Sequence, residues 1–155
     1  MNWINQQPNK ITTPTPQGND VSTVVFRSGY ERELAKQMPP GTKFESETIE
    51  WHDYPVGHKC DDCGSKRVYK VRKYTPDFVL PDGRLLETKG NFTTENRKKH
   101  RQIKKQHPDL PLVMIFMSDN KISPKSNTRY SEWCEKYGID YLVIKKGGSF
   151  PPGWL

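Results

Sequence analysis

Thr75-Pro76-Asp77-Phe78-Val79-Leu80-Pro81-Asp82-Gly83-Arg84-Leu85-Leu86-Glu87-Thr88-Lys89-Gly90 reads as a β-hairpin that carries two carboxylates and a lysine. Pro81 pre-sets φ for the first position of a type I turn, Asp82 suits the second, and Gly83 can take the left-handed position that follows. This is a three-residue hairpin loop with a glycine bulge. Its register opposes Leu80 to Arg84, Val79 to Leu85, Phe78 to Leu86, and therefore Asp77 to Glu87. Strand residues alternate between faces, so Asp77, Glu87 and Lys89 are expected on one face and Phe78, Leu80, Leu86 and Thr88 on the other. Two like charges directly opposed on a sheet are unfavourable unless a cation lies between them. The plainer alternative is a solvated hairpin in which Lys89 serves as a salt-bridge partner. The turn chemistry sets the register independently of the charges, which favours the metal-holding reading.

The remainder of the chain fits a polyanion partner. Its 155 residues suffice for one domain with extensions. Lys and Arg outnumber Asp and Glu by 25 to 18, a net charge of +7 that points to nucleic acid or an anionic surface. No apolar run approaches the roughly 20 residues of a membrane span, so no membrane partner is expected. The N-terminus lacks the basic and apolar regions of a secretory signal. Three cysteines, an odd number, argue against a disulfide framework and for a reducing cytosol.

Residues 1–20, rich in Asn, Gln, Thr and Pro, read as a disordered extension, and residues 21–146 as the folded domain. Ser28-Gly29-Tyr30-Glu31 is a capping-box pattern opening a helix to about Met38, which Pro39-Pro40-Gly41 stops. A strand is expected from Lys43 to Trp51, then a basic, cysteine-bearing insert over residues 52–73. After the hairpin, Thr93 or Thr94 caps a helix to about Gln106. Leu112–Met117 is a continuous apolar run, typical of a strand buried on both faces. Ser118–Asn127 is a polar loop. Tyr130, Trp133, Cys134 and Tyr137 form the core face of another helix, with Gly138 at its C-terminal cap. A short strand from Tyr141 to Ile144 and a Lys/Gly/Pro tail over residues 147–155 complete the chain. The order predicts a mixed α/β layer with helices over a sheet whose central strands carry the acidic cluster.

A pair of carboxylates can hold one ion, and hard oxygen ligands suit magnesium or manganese. Lys89 could position or deprotonate a water, or steady a phosphate in its transition state. Glu31 is the candidate third carboxylate, which would help to recruit a second ion; the equal alternative is that it only satisfies its own helix N-terminus. Arg97-Lys98-Lys99-His100-Arg101-Gln102-Ile103-Lys104-Lys105 carries six formal positive charges in nine residues. Lys66, Arg67, Lys70, Arg72 and Lys73 form a second basic run. Each run is either a solvated face or a grip on phosphates, and in so basic a chain the grip is preferred. Cys60-Asp61-Asp62-Cys63-Gly64 resembles a zinc knuckle with His52 and His58 nearby, but one Cys-x-x-Cys is only half a tetrahedral site. The alternative is two free thiols. Cys134 reads as a packed small hydrophobe.

Taken together, these residues resemble phage endonuclease I, the family of junction-resolving nucleases of short-tailed phages. The resemblance spans Phe26 to about Ile144. It rests on Phe26-Arg27-Ser28-Gly29-x-Glu31, Tyr74-Thr75-Pro76-Asp77-Phe78, Leu80-Pro81-x-Gly83, Glu87-Thr88-Lys89-Gly90, Arg97-Lys98-Lys99-His100, Gln106-His107-Pro108 and Cys134-Glu135-Lys136. It implies that Glu31, Asp77, Glu87 and Lys89 are catalytic. Asp77, Glu87 and the carbonyl of Thr88 would hold one metal, with Glu31 and Asp77 sharing a second, and Arg27 would join the DNA-binding set. It further implies a restriction-endonuclease-like mixed sheet in an intertwined, domain-swapped homodimer, where Glu31 of one chain completes the site of the other. The implied substrate is branched DNA, chiefly the four-way junction, and the implied setting is the cytoplasm of an infected bacterial host. The segment from Asp53 to Lys73 looks longer than the family's crossover. Two rivals stand beside this reading: a nuclease of linear duplex DNA, which would need side chains at base edges, and a non-catalytic zinc-knuckle nucleic-acid binder.

Overall fold

The computed structural model describes residues 11–12, 19–20, 24–54 and 69–155. In chain order the elements are β1 (Ile11–Thr12), β2 (Asn19–Asp20), α1 (Gly29–Ala35), β3 (Lys43–Phe44), β4 (Thr48–Asp53), β5 (Lys70–Tyr74), β6 (Phe78–Val79), β7 (Leu85–Lys89), α2 (Thr94–Gln106), β8 (Leu112–Phe116), α3 (Tyr130–Tyr137) and β9 (Asp140–Val143). The hairpin forms in the expected register, with Phe78 opposite Leu86 and Val79 opposite Leu85. Leu80 N–H donates to Arg84 O at 2.9 Å, and Gly83 sits at φ 92°, a conformation closed to most other residues.

The hairpin is central to a six-stranded mixed sheet of order β2-β3-β6-β7-β8-β9. β7, β8 and β9 run parallel, joined through α2 and α3, while β2, β3 and β6 add on antiparallel. All five residues of β8 are buried, as expected of a strand covered on both faces. One face packs Phe44, Phe78, Leu80, Leu86, Val113 and Ile115 beneath α1. The other packs Val79, Leu85, Met114 and Phe116 against Phe92, Ile103 of α2 and Trp133 of α3. Alternation along β7 therefore turns Glu87 and Lys89 towards α2.

A second sheet, of order β1-β4-β5, forms a ribbon beside the first. α2 holds it by side chains in place of another strand. Gln106 accepts from His52 N–H at 2.7 Å and donates to His52 O at 2.8 Å, and Gln102 does the same for Tyr54 at 3.0 and 3.3 Å. Four helical residues rise about 6 Å and two strand residues about 6.6 Å, so glutamines at i and i+4 match alternate strand residues.

Several boundaries differ from the sequence reading. The strand expected over Lys43–Trp51 divides into β3 and β4, one in each sheet, with Glu45 between them at φ 45°. The stretch read as an insert contains the end of β4 and all of β5 except its last residue, Tyr74. α1 ends at Ala35, before Met38, and the final strand lies one residue earlier than expected. Two short strands fall in the extension read as disordered. The tail packs on the domain: Phe150 is buried and stacks on Trp154, and Gln37, just past the end of α1, bonds Gly148 and Phe150. α3 matches expectation, with Trp133 and Cys134 buried and Gly138 capping at φ 65°.

Candidate active site

Asp77 stands where β6 parts from β7. Continued pairing would bring Thr88 N–H to a carbonyl two residues before Phe78. Instead it donates to Asp77 Oδ2 at 2.7 Å, and Thr88 Oγ1 donates to the same oxygen at 2.7 Å. The carboxylate thus does not simply lie on the face shared by Glu87 and Lys89, as alternation suggested. It replaces a ladder carbonyl at the end of the hairpin and contacts Thr88, whose side chain belongs to the opposite face.

From that edge Asp77 acts on acids on both sides of the sheet. Burial raises the Glu87 carboxyl, Asp77's charge raises it further, and Lys89 and Lys99 oppose the rise. Glu31 on α1 is likewise raised by burial and then by Asp77, against the pull of Ser28's backbone N–H and of Arg27. Glu31 thus stands both at the start of α1 and within the field of Asp77. It takes part in the helix start, where Ser28 Oγ accepts from Glu31 N–H at 3.1 Å, while its Oε2 is buried without a partner. Within one chain, then, Glu31 lies near enough to Asp77 to feel its charge.

Glu87 is 3% exposed and enclosed. Lys89 Nζ lies 2.6 Å from its Oε1, with Lys99 Nζ at 4.0 Å and His100 Nε2 at 3.7 Å, while Tyr74 Oη donates to Oε2 at 2.9 Å. Lys89 is on the expected face beside its acid. Lys99, His100 and Tyr74 were not expected there. His100 is fully buried, and burial, then Lys99 and Lys89, hold its imidazole well below its usual pKa, hence neutral. It cannot contact DNA as expected from the basic run. One signal was available: Ile103 is the only apolar residue from Thr94 to Gln106, and His100 shares its helical stripe.

The other basic residues are dispersed. Lys98 and Arg72 both pair with Asp53, at 3.1 and 2.6 Å. Arg97 bonds Phe92 O and Thr94 Oγ1, and Lys104 bonds Pro108 O. Arg27 is paired with Glu45 at 2.8 Å on the surface. Lys70, Lys73, Arg101 and Lys105 are exposed. Lys66, Arg67, Cys60 and Cys63 lie outside the described residues. Cys134 is buried, and burial pushes its thiol up to about 12.

The donor chemistry suits a hard divalent cation: three carboxylates whose charges oppose one another, one with an orphaned buried oxygen. Among the described residues, no three His, Cys, Asp or Glu side chains are yet gathered into a ligand set. Glu87 Oε1 is instead neutralised by Lys89. Glu31, Asp77 and Glu87 are the residues that would hold such an ion, with Lys89 displaced from Oε1.

A family profile described as phage endonuclease I matches residues 16–146. The chain belongs to the phage endonuclease I family. It is 41% identical over 132 residues to "Endodeoxyribonuclease 1" of Enterobacteria phage T3, covering 82% of this chain and 79% of that protein. It is 40% identical over 122 residues to "Endonuclease I" of Escherichia phage T7, covering 76% and 72%. Family membership accords with the resemblance read from the hairpin and its flanking motifs. No helix among the described residues is long and apolar enough to cross a membrane.

Proposed function

We propose that this protein is a divalent-metal-dependent endodeoxyribonuclease that resolves four-way and other branched DNA junctions as a homodimer in the cytoplasm of an infected host. The observation that carries the catalytic part is the hairpin that fixes Asp77 on Thr88 beside a buried Glu87 paired with Lys89, with Glu31 near enough to feel Asp77's charge. Membership of a family whose relatives are named endonucleases supports the same reading. Bound magnesium or manganese would supply Lewis-acid activation of the attacking water and stabilise the leaving oxygen. Asp77, held by both donors of Thr88, orients one ligand oxygen at the hairpin's end. Glu87 supplies the second carboxylate, and Glu31 approaches from α1 on the other side. Lys89, once released from Glu87 Oε1, offers its ammonium to a phosphate oxygen, or as the neutral amine takes a proton from water.

Two sites are needed to cut two strands at one junction, which supports the homodimer, and the restriction-endonuclease-like label suits the mixed sheet with its hairpin of acids. The Thr88 carbonyl remains in the proposed ligand set. For the bridge containing Cys60 and Cys63, zinc is proposed only as a structural ion; fewer than about half an equivalent per chain on metal analysis would count against it.

The deciding assay incubates the purified protein with magnesium on a four-way junction, a matched linear duplex and single strands. Paired nicks confined to the junction are expected. Equal cutting of the duplex removes junction selectivity, and binding without any cleavage returns the protein to the non-catalytic class. Glu87→Ala and Lys89→Ala should abolish cleavage and keep junction binding; full activity in either overturns the assignment.

A further inference from the structure

Glu87's two oxygens have different surroundings. Oε1 faces three nitrogen groups, of Lys89, Lys99 and His100, whereas Oε2 receives the single hydroxyl of Tyr74 at 2.9 Å. A carboxylate turns about a broad, roughly two-fold torsion. Unless one oxygen is fixed, the plane of the group and the lone pairs it presents are poorly defined. Tyr74 can fix it because Tyr74 is itself fixed. The residue is 3% exposed, its backbone pairs with Ile49 in the ribbon, the His100 ring meets its ring at 5.2 Å and 89°, and Lys99 Nζ lies 4.8 Å from its ring centre.

We propose that Tyr74 is a positioning residue for DNA cleavage, its hydroxyl clamping Glu87 Oε2 so that Oε1 is the oxygen presented to the metal and the scissile phosphate. The proposal rests on the nuclease reading above and adds to it a residue in contact with neither DNA nor metal. It has a structural corollary. Tyr74 ends β5 and stands three residues before Asp77, so one short segment, Tyr74-Thr75-Pro76-Asp77, sets the orientation of both hairpin carboxylates. The other end of that ribbon is held to α2 by Gln102 and Gln106. Ribbon docking and carboxylate orientation are therefore coupled through β5.

Tyr74→Phe isolates the hydroxyl, because phenylalanine keeps the ring packing against His100 and Lys99 and the backbone pairing with Ile49. Four measurements are made on the full chain: the thermal midpoint, junction affinity in EDTA, kcat and KM on a four-way junction, and the rise in thermal midpoint as magnesium is added. Positioning predicts a kcat lower by about 10–100-fold, KM and junction affinity within about twofold of the parent, and a several-fold higher magnesium concentration for half of the thermal shift. An unchanged kcat and magnesium demand would overturn the proposal. So would parallel losses of thermal midpoint, junction affinity and kcat, including outright failure to fold, because they assign Tyr74 to packing alone. Failure of the nuclease reading itself looks different: the parent protein then cleaves no DNA with magnesium or manganese, whatever stands at position 74.

Discussion

Asp77 Oδ2 receives both donors of a single residue, the backbone N–H and the hydroxyl of Thr88, each at 2.7 Å. The first bond substitutes for a lost ladder bond, and any residue but proline at position 88 would keep it. The second belongs to threonine. Thr88→Val keeps shape and β-branching while deleting only the hydroxyl, so it separates the two. A hydrogen bond to a charged acceptor contributes about 1.5–3 kcal/mol, so a loss near the lower end, about 1.5 kcal/mol, is expected in urea unfolding. Cleavage should fall by roughly tenfold, since an outer partner that orients a ligand is typically that consequential. An unchanged single-turnover rate would show that the backbone bond alone orients Asp77.

The contrast between that pair and the sequence reading shows where legibility ended. Pro81-Asp82-Gly83 encodes one turn, and the turn encodes the register, so the pairing of Phe78 with Leu86 and of Val79 with Leu85 was readable. The apolar run of β8 and the capped helix at Tyr130–Gly138 were readable for similarly local reasons. The break at Glu45 was not, because no glycine or proline marks it; the chain turns there to serve two sheets, a tertiary requirement. The departure of β6 from β7 before Thr88 is tertiary too, and it took Asp77 off the expected face. His100 was misplaced because a run of charged residues hid the one-residue apolar stripe beneath it. Tyr74 was visible only as the first residue of the Tyr74–Phe78 motif; its bond to Glu87 was not legible, since it depends on the ribbon folding back beside α2.

Gln106 tests that ribbon. Its amide makes two bonds to the backbone of His52, and neither can be replaced by alanine. Gln106→Ala should destabilise the protein by about 1–2 kcal/mol, two ordinary bonds partly offset by water. Gln106→Glu keeps an acceptor for His52 N–H but sets a carboxylate oxygen against His52 O, so it should do no better. Urea midpoints give the size, and hydrogen exchange should quicken first at the amides of His52 and Tyr54. Uniform quickening across the domain would mean that the ribbon does not open separately.

Cys134 supplies a pH prediction. Burial, with the charges of Asp119 and Glu135, raises its thiol from 9.0 to about 12. A group whose folded pKa is raised contributes stability that is fully present below its unfolded value and lost as pH climbs through the folded one. The contribution is therefore intact up to about pH 9 and declines towards pH 12. At pH 8 a thiol alkylating agent should leave the Cys134 peptide unmodified in the native protein and label it in urea. Native labelling at the unfolded rate would contradict the burial.

The exposed lysines of β5 make a salt-dependence prediction. Lys70 and Lys73 are exposed, whereas Arg72 of the same strand is committed to Asp53. If the ribbon grips phosphates, Lys73→Ala should weaken junction binding and lower the slope of log affinity against log salt by about one. His100→Ala, buried behind Glu87, should leave that slope unchanged. A reduced slope in the histidine variant would return α2's interior face to the DNA, against its geometry.

If Glu31, Asp77 and Glu87 hold magnesium as proposed, the ion should stabilise the folded chain, because only folding brings these carboxylates near one another. At a hundred times the dissociation constant the gain is about 2.7 kcal/mol, or roughly 5–10 °C in thermal midpoint for a chain of this size. EDTA should reverse the shift and stop cleavage together. Asp77→Asn discriminates the site, since asparagine's carbonyl can still accept from Thr88. Without metal, that variant loses the repulsion that Asp77 exerts on Glu31 and Glu87 and should be at least as stable as the parent. With magnesium it should gain little or nothing. A full magnesium shift in Asp77→Asn would place the ion away from the hairpin and remove the basis for metal-dependent cleavage there.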